Sequence, residues 1–164
     1  MSVTREYVAA GKKRVNHIVA RWIDGEAFEF ARPGGIPVRV DGTGKSGPGP
    51  VDALLGALAA CSSIDVVQIL EKRRTPVASL EIEVHGDRAD AIPARLIGIR
   101  MLFRITGEGI EWEHAQRAVE LAVNKYCSVR DSLDPEIPIE LALELNGVRE
   151  ALARAAPAAE RDGS

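Results

Sequence analysis

The sequence offers little that would commit it to a common binding class. It has no surplus of positive charge: 21 lysines and arginines stand against 24 acidic residues, a formal net charge of −3. The electrostatic footprint of a nucleic-acid binder is therefore missing, and no nucleic-acid partner is expected. Basic clusters occur only as short runs at Lys12–Arg14 and Lys72–Arg74, which read as solvated faces. No apolar segment followed by a small-residue cleavage site opens the chain, so secretion is not expected. Metal-ligand patterns are missing as well. There is no CxxC or HExxH, and His17, His85 and His114 fall on different expected elements. Neither Walker A nor GxGxxG is present. Gly42-Thr43-Gly44-Lys45-Ser46 has a superficial likeness to a phosphate loop, but it leads into Gly47-Pro48-Gly49-Pro50 rather than into a helix. A nucleophile elbow for a Ser-His-Asp hydrolase is lacking too. Cysteine is scarce: Cys61 and Cys127 are the whole supply.

What is present is a globular composition. Apolar residues make up 46% of 164, enough for one domain with a core. No internal repeat is visible. The spacing predicts a polar arm over 1–13 and a single domain over 14–147. An Ala/Arg-rich tail over 148–164 reads as a frayed helix or disordered segment. Strand signals begin after Arg14 with Val15, Ile18, Val19 and Trp22. Asp24-Gly25 is a hairpin turn, and further strands are expected at about Ala27–Ala31 and Ile36–Val40. Asp41–Pro50 is loop. Val51–Arg73 carries a helical pattern, with Leu54, Leu55, Leu58 and Ser62 at three- and four-residue steps and Pro76 ending it. The small residues along it predict a central helix packed on by several neighbours. The same stretch is long enough for a bilayer, but Asp52, Asp65 and Gln68 would be costly there, so no membrane span is expected. Strands at Val77–His85 and Arg95–Ile105, a helix from Trp112 to about Tyr126 and a strand around Ile137–Leu145 complete an α+β order.

In the cytoplasm, where this chain is expected, a static disulfide is disfavoured, so the two thiols are either inert packing residues or redox-active. Cys61 lies about ten residues into the long helix. The dipole fades within the first turn, so the helix cannot ionise this thiol by itself. A cation must come from elsewhere in the fold, and an acidic partner could orient it.

The runs Gly49-Pro50-Val51-Asp52-Ala53-Leu54-Leu55 and Ala60-Cys61-Ser62-Ser63-Ile64-Asp65-Val66-Val67 resemble the first cysteine helix of the OsmC/Ohr superfamily. Lys125-Tyr126-Cys127-Ser128-Val129 resembles its second cysteine motif. The likeness is greatest to the YhfA-like branch and covers about residues 15–145, with Arg88, Pro93 and Gly107 at matching places. It implies an OsmC-like fold: antiparallel sheets wrapped around two long central helices in an intertwined homodimer. It also implies thiol-dependent reduction of organic hydroperoxides, with Cys61 peroxidatic and Cys127 resolving. A dithiol, lipoyl-type reductant would recycle the pair, and no cofactor or metal is called for. The family places Glu beside the proline that starts the helix. Here Val51 and Asp52 stand there, so Asp52 is the candidate carboxylate. Of Arg21, Arg32 and Arg39 in the N-terminal strands, Arg39 is taken as the candidate activating cation. The alternatives are a non-catalytic redox sensor or apolar-ligand carrier, and a structural domain with packing cysteines.

Overall fold

The computed structural model describes residues 14–156; the arm expected over 1–13 and the end of the tail, 157–164, lie outside them. The chain divides into two compact units, one up to Pro50 and one from Val51 onward.

The N-terminal unit is an antiparallel meander of β1 (Val19–Asp24), β2 (Ala27–Ala31) and β3 (Val38–Asp41). The hairpin expected at Asp24-Gly25 turns through Gly25-Glu26, where Gly25 takes a positive φ and its carbonyl accepts the Trp22 indole N–H at 3.0 Å. The loop after β3 is organised by Asp41. Its carboxylate accepts the backbone N–H and hydroxyl of Thr43, both at 2.8 Å, and those of Ser46 at 3.0 and 2.8 Å. These four donors hold the Asp41 carboxyl well below the ordinary carboxylate range. The glycine-rich run that resembled a phosphate loop thus folds its donors around an anion of its own.

The C-terminal unit begins with α1 (Pro50–Lys72). Proline at the first helical position loses no hydrogen bond, and Asp52 in the first turn suits the positive end of the helix. Arg74 in a left-handed conformation and Pro76 beyond it end the helix. Four strands follow as one sheet in the order β4 (Ser79–Arg88), β5 (Leu96–Thr106), β6 (Ile139–Leu145), β7 (Val148–Ala151). Between β5 and β6 the chain runs through α2 (Trp112–Leu121), a π-helical turn (Ala122–Tyr126) and α3 (Ser128–Asp131). That crossover returns β6 alongside β5 in the same direction, so this pair is parallel while its neighbours are antiparallel. The sheet is therefore mixed rather than antiparallel throughout.

Alternation along the strands sorts the two faces. Ile99, Met101, Phe103 and Ile105 of β5 and Ile139, Leu141, Leu143 and Leu145 of β6 are buried, and they share a core with Ala115, Ala118 and Val119 of α2. On the other face Arg104 reaches Glu81 at 2.5 Å and Glu83 at 2.6 Å. His85 pairs with the same Glu83 at 2.7 Å, and these contacts pull the Glu83 carboxyl below its usual range, the histidine contact first. Gly107 sits where any side chain would meet Ile110 and, at 2.9 Å, the Pro76 carbonyl, and its N–H donates to Asn146 Oδ1 at 3.1 Å. Arg88 Nε donates to the Ala94 carbonyl at 2.9 Å, across the loop that contains the cis Ile92–Pro93 bond.

Two expectations need correction. The segment after Gly147 is neither helix nor disorder at its start. Asn146 and Gly147, both at positive φ, turn the chain so that β7 pairs with β6, and Leu152 and Ala155 continue by donating to Leu141 and Ile139. Its alanines and arginines have low strand preference, but an unpaired edge of β6 would leave a row of donors and acceptors unmet. The long helix is also less enclosed than expected. Only Leu58, Ser62, Val66 and Leu70 are buried, one stripe at four-residue steps, while Leu54 and Ile64 stay exposed. By length and composition α1 could cross a membrane, and the buried stripe packs into the core of the C-terminal unit.

Candidate functional site

Cys61 comes from the middle of α1 and Cys127 from the junction between the π-helical turn and α3. The fold brings them to one core: both are free thiols, Cys127 buried within that core and Cys61 packed against it. The 66-residue separation in sequence is closed because α1 and the α2 crossover pack on the same side of the sheet.

The two sulfurs are not equivalent. Cys127 is 3% exposed, whereas Cys61 is only partly buried. Cys127 caps α3: its Sγ accepts the Arg130 N–H at 3.3 Å, the place a serine or aspartate side chain usually takes. Burial nevertheless dominates and pushes the Cys127 thiol up, partly offset by the Arg130 N–H. Such a thiol is a poor first nucleophile and a suitable partner for a sulfur beside it. One turn along α1 from Cys61, burial likewise raises the Asp65 carboxyl. Asp65, Ile69, Lys72, Leu121 and Tyr126 line a cavity of about 510 Å³, next along the chain to both cysteines.

Of the other two candidates, Asp52 belongs to the same unit as the cysteines and Arg39 to the N-terminal unit. Asp52 lies nine residues before Cys61. At about 100° and 1.5 Å per residue this is the opposite side of α1, some 14 Å down its axis. Its surroundings are Leu55, Gly56 and Ala59 of the helix and Ile82 and Val84 of β4. Asp52 suits the helix start, and the structure does not bring it to the thiols. Arg39 sits opposite Glu29 in the β2–β3 ladder, and its Nε and Nη2 donate to Glu29 Oε1 at 3.0 and 2.7 Å.

Sequence reasoning missed Arg130 and Ser62. Arg130 is 2% exposed, the largest fully buried side chain among the described residues, and its backbone N–H meets the Cys127 sulfur. An arginine three residues after a helix-capping cysteine is a readable pattern once the short α3 is recognised. That helix has four residues and escapes periodicity arguments. Ser62 is fully buried, and its hydroxyl donates to the Leu58 carbonyl at 3.0 Å. It was read as one more small helix residue, with nothing in its spacing to set it apart. The π-helical turn that delivers Cys127 inserts a residue into the helix, a device that often re-aims side chains at functional sites. Among the described residues no group of three or more His, Cys, Asp and Glu side chains converges as a metal site would require.

Comparison with known proteins agrees with this architecture. The chain is 32% identical to Protein YhfA of Escherichia coli strain K12 over 126 residues, covering 76% of this chain and 94% of that one. A hypothetical protein from Aquifex aeolicus superposes with a TM-score of 0.74 at 25% identity, over 82% of this chain and 98% of the other. The organic hydroperoxide resistance protein OhrB of Bacillus subtilis shares the fold with a TM-score of 0.52 at 18% identity, over 79% and 96%. The family model described as OsmC-like protein matches residues 42–142, which take in both cysteines and strands β4 and β5 between them, and the chain belongs to the OsmC-like family.

Proposed function

We propose that the protein reduces organic hydroperoxides with its cysteine pair, Cys61 attacking and Cys127 resolving. The observation that carries this reading is a pair of free thiols of unequal exposure packed at one core. The partly open Cys61 can meet a substrate, and the buried Cys127 is shielded from it. The Cys61 thiolate attacks the outer oxygen of the hydroperoxide, the O–O bond breaks, and the departing alkoxide takes a proton to leave as an alcohol. Cys61 is then a sulfenic acid. Cys127 forms the S–S bond and water departs. A dithiol reductant of lipoyl type restores both thiols and is itself oxidised to a disulfide. Such reductants are maintained in the cytoplasm, where we place the reaction. Neither Arg39, held by Glu29, nor Asp52 is given a step. Organic hydroperoxide resistance proteins among the structural neighbours support the substrate class.

We infer a homodimer as the working form. Trp22, Phe28 and Val38 on the N-terminal strands and Leu54 and Ile64 on α1 are exposed apolar residues that a second copy would cover.

The test is consumption of tert-butyl or cumene hydroperoxide by the reduced protein. Wild type should turn over and accumulate an intramolecular Cys61–Cys127 disulfide, and Cys61→Ser should do neither. Equal rates in the two proteins would end the peroxidase reading. The burial-raised Cys127 thiol favours one alternative, a slow redox sensor. That alternative prevails if the disulfide forms but lipoyl reductants sustain negligible turnover.

A further inference from the structure

The attack on a hydroperoxide involves two proton transfers, one off the Cys61 thiol and one onto the departing alkoxide. Cys61 lies too deep in α1 for the helix dipole to ionise it. What α1 places beside it is a carboxylate. Asp65 stands four residues after Cys61 in the same unbroken helix, a spacing that puts both side chains on one face with Cβ atoms about 5–6 Å apart. A hydroperoxide group lodged between them touches both. The same face opens on the cavity of about 510 Å³. Its α1 walls, Asp65, Gln68, Ile69 and Lys72, fall 4, 7, 8 and 11 positions beyond Cys61, all within about 80° of its direction. Leu121 and Tyr126 of the crossover line it as well. Asp65 also differs from the acids on the outer face of the sheet. Glu81, Glu83, Asp87 and Glu140 are each held by an arginine, whereas Asp65 makes no hydrogen bond or ion pair with any described residue. A partly buried carboxylate with no partner is free to exchange a proton with whatever enters the cavity.

We propose that Asp65 is the proton relay for the attack on the peroxide: its carboxylate takes the Cys61 thiol proton and passes it to the departing alkoxide. The inference rests on the cysteine-pair reading above and deepens it by saying where the protons go. In this step Cys61 Sγ bonds to the outer peroxide oxygen, the O–O bond breaks, and its electron pair leaves on the inner oxygen. The thiol proton crosses to that oxygen by way of Asp65. Thiol and hydroperoxide become sulfenic acid and alcohol, and the carboxylate is regenerated. An anion beside Cys61 disfavours a standing thiolate, so the sulfur is activated only when a peroxide is in place to take the proton. Burial raises the Asp65 carboxyl, which makes it a better acceptor for that proton. The other titratable and charged groups lining the cavity are Lys72 and Arg73 at the end of α1 and Tyr126 of the π-helical turn.

The test uses the full chain carrying Cys127→Ser, so that Cys61 alone reacts. Adding Asp65→Asn should slow sulfenic acid formation with cumene hydroperoxide at least about 100-fold, the low end of a general acid–base contribution. Peracetic acid, whose leaving acetate needs no proton, should lose less. Iodoacetamide, which needs only a thiolate, should alkylate Cys61 as fast or faster, because an anion beside the sulfur is gone. Asp65→Glu should recover part of the cumene hydroperoxide rate, and Asp52→Asn, on the other side of α1, should match the parent. Two results overturn the relay. One is an unchanged cumene hydroperoxide rate in Asp65→Asn. The other is an equal fall with all three reagents, which marks a structural role. Failure of the peroxidase reading shows separately, as a parent protein that alkylates but forms no sulfenic acid, and it takes the relay with it.

Discussion

The two sheets of this chain solve the same problem to different degrees. In the C-terminal unit four strands, α1 and α2 enclose a continuous core in which Phe103, Leu143 and Val119 have no exposure at all. In the N-terminal unit the three strands bury only Ala27, Val40 and Asp41, and leave Trp22 65%, Val38 50% and Phe28 41% exposed. Three short strands with one apolar face are marginal unless something covers that face. What organises the N-terminal unit is polar instead: the Asp41 loop and the Glu29–Arg39 rung. One unit is stable by burial; the other is shaped by hydrogen bonds and leaves apolar side chains exposed.

The contrast can be broken or sharpened by substitution. The largest effect belongs to the closed core: Phe103→Ala should cost about 3–5 kcal/mol, read by chemical denaturation. A loss below about 1 kcal/mol would mean the C-terminal core is less tight than its burial indicates. Next, the proposed homodimer predicts that wild type has a dimer's mass at micromolar concentration by light scattering, and that Trp22→Ser with Phe28→Ser lowers it to a monomer's with the secondary structure intact. An undisturbed dimer would locate the contact elsewhere. Asp41→Asn should produce a smaller fall in melting temperature at neutral pH. The sign follows from the depressed carboxyl. Its stabilisation is fully present above the ordinary carboxylate range, about pH 4, and is lost as pH falls toward the folded value. The gap between Asp41→Asn and wild type should therefore narrow at pH 3. Smallest is Glu29→Gln, an exposed ion pair worth about 0–1 kcal/mol and sensitive to salt.

The N-terminal hairpin, α1 and the core strands were legible because each leaves a local mark: Asp24-Gly25 for the turn, four-residue steps for α1, alternation in β4 to β6. β7 was not legible, because Val148–Ala151 is a strand only through the edge it satisfies. The parallel β5–β6 pair was hidden for a related reason, since direction is set by the α2 crossover and not by either strand's residues. At the candidate site both cysteines were legible through their motifs. Asp52 entered through the family's Glu beside the helix-starting proline, and nine residues of helical rotation put it on the other side of α1 from Cys61.

The residues of this chain on their own determine that it has one long small-residue helix, alternating strands around it and two cysteines in separate helical settings. Those properties depend on neighbours in sequence, through helical and strand periods and turn conformations. Only the tertiary structure decided that the two thiols pack at one core, that one is buried while the other stays partly open, and that the buried sulfur accepts the Arg130 N–H. The pair is 66 residues apart in sequence, and burial and hydrogen-bond reach exist only once separate elements have packed. The chemistry of the pair is accordingly a property of the fold.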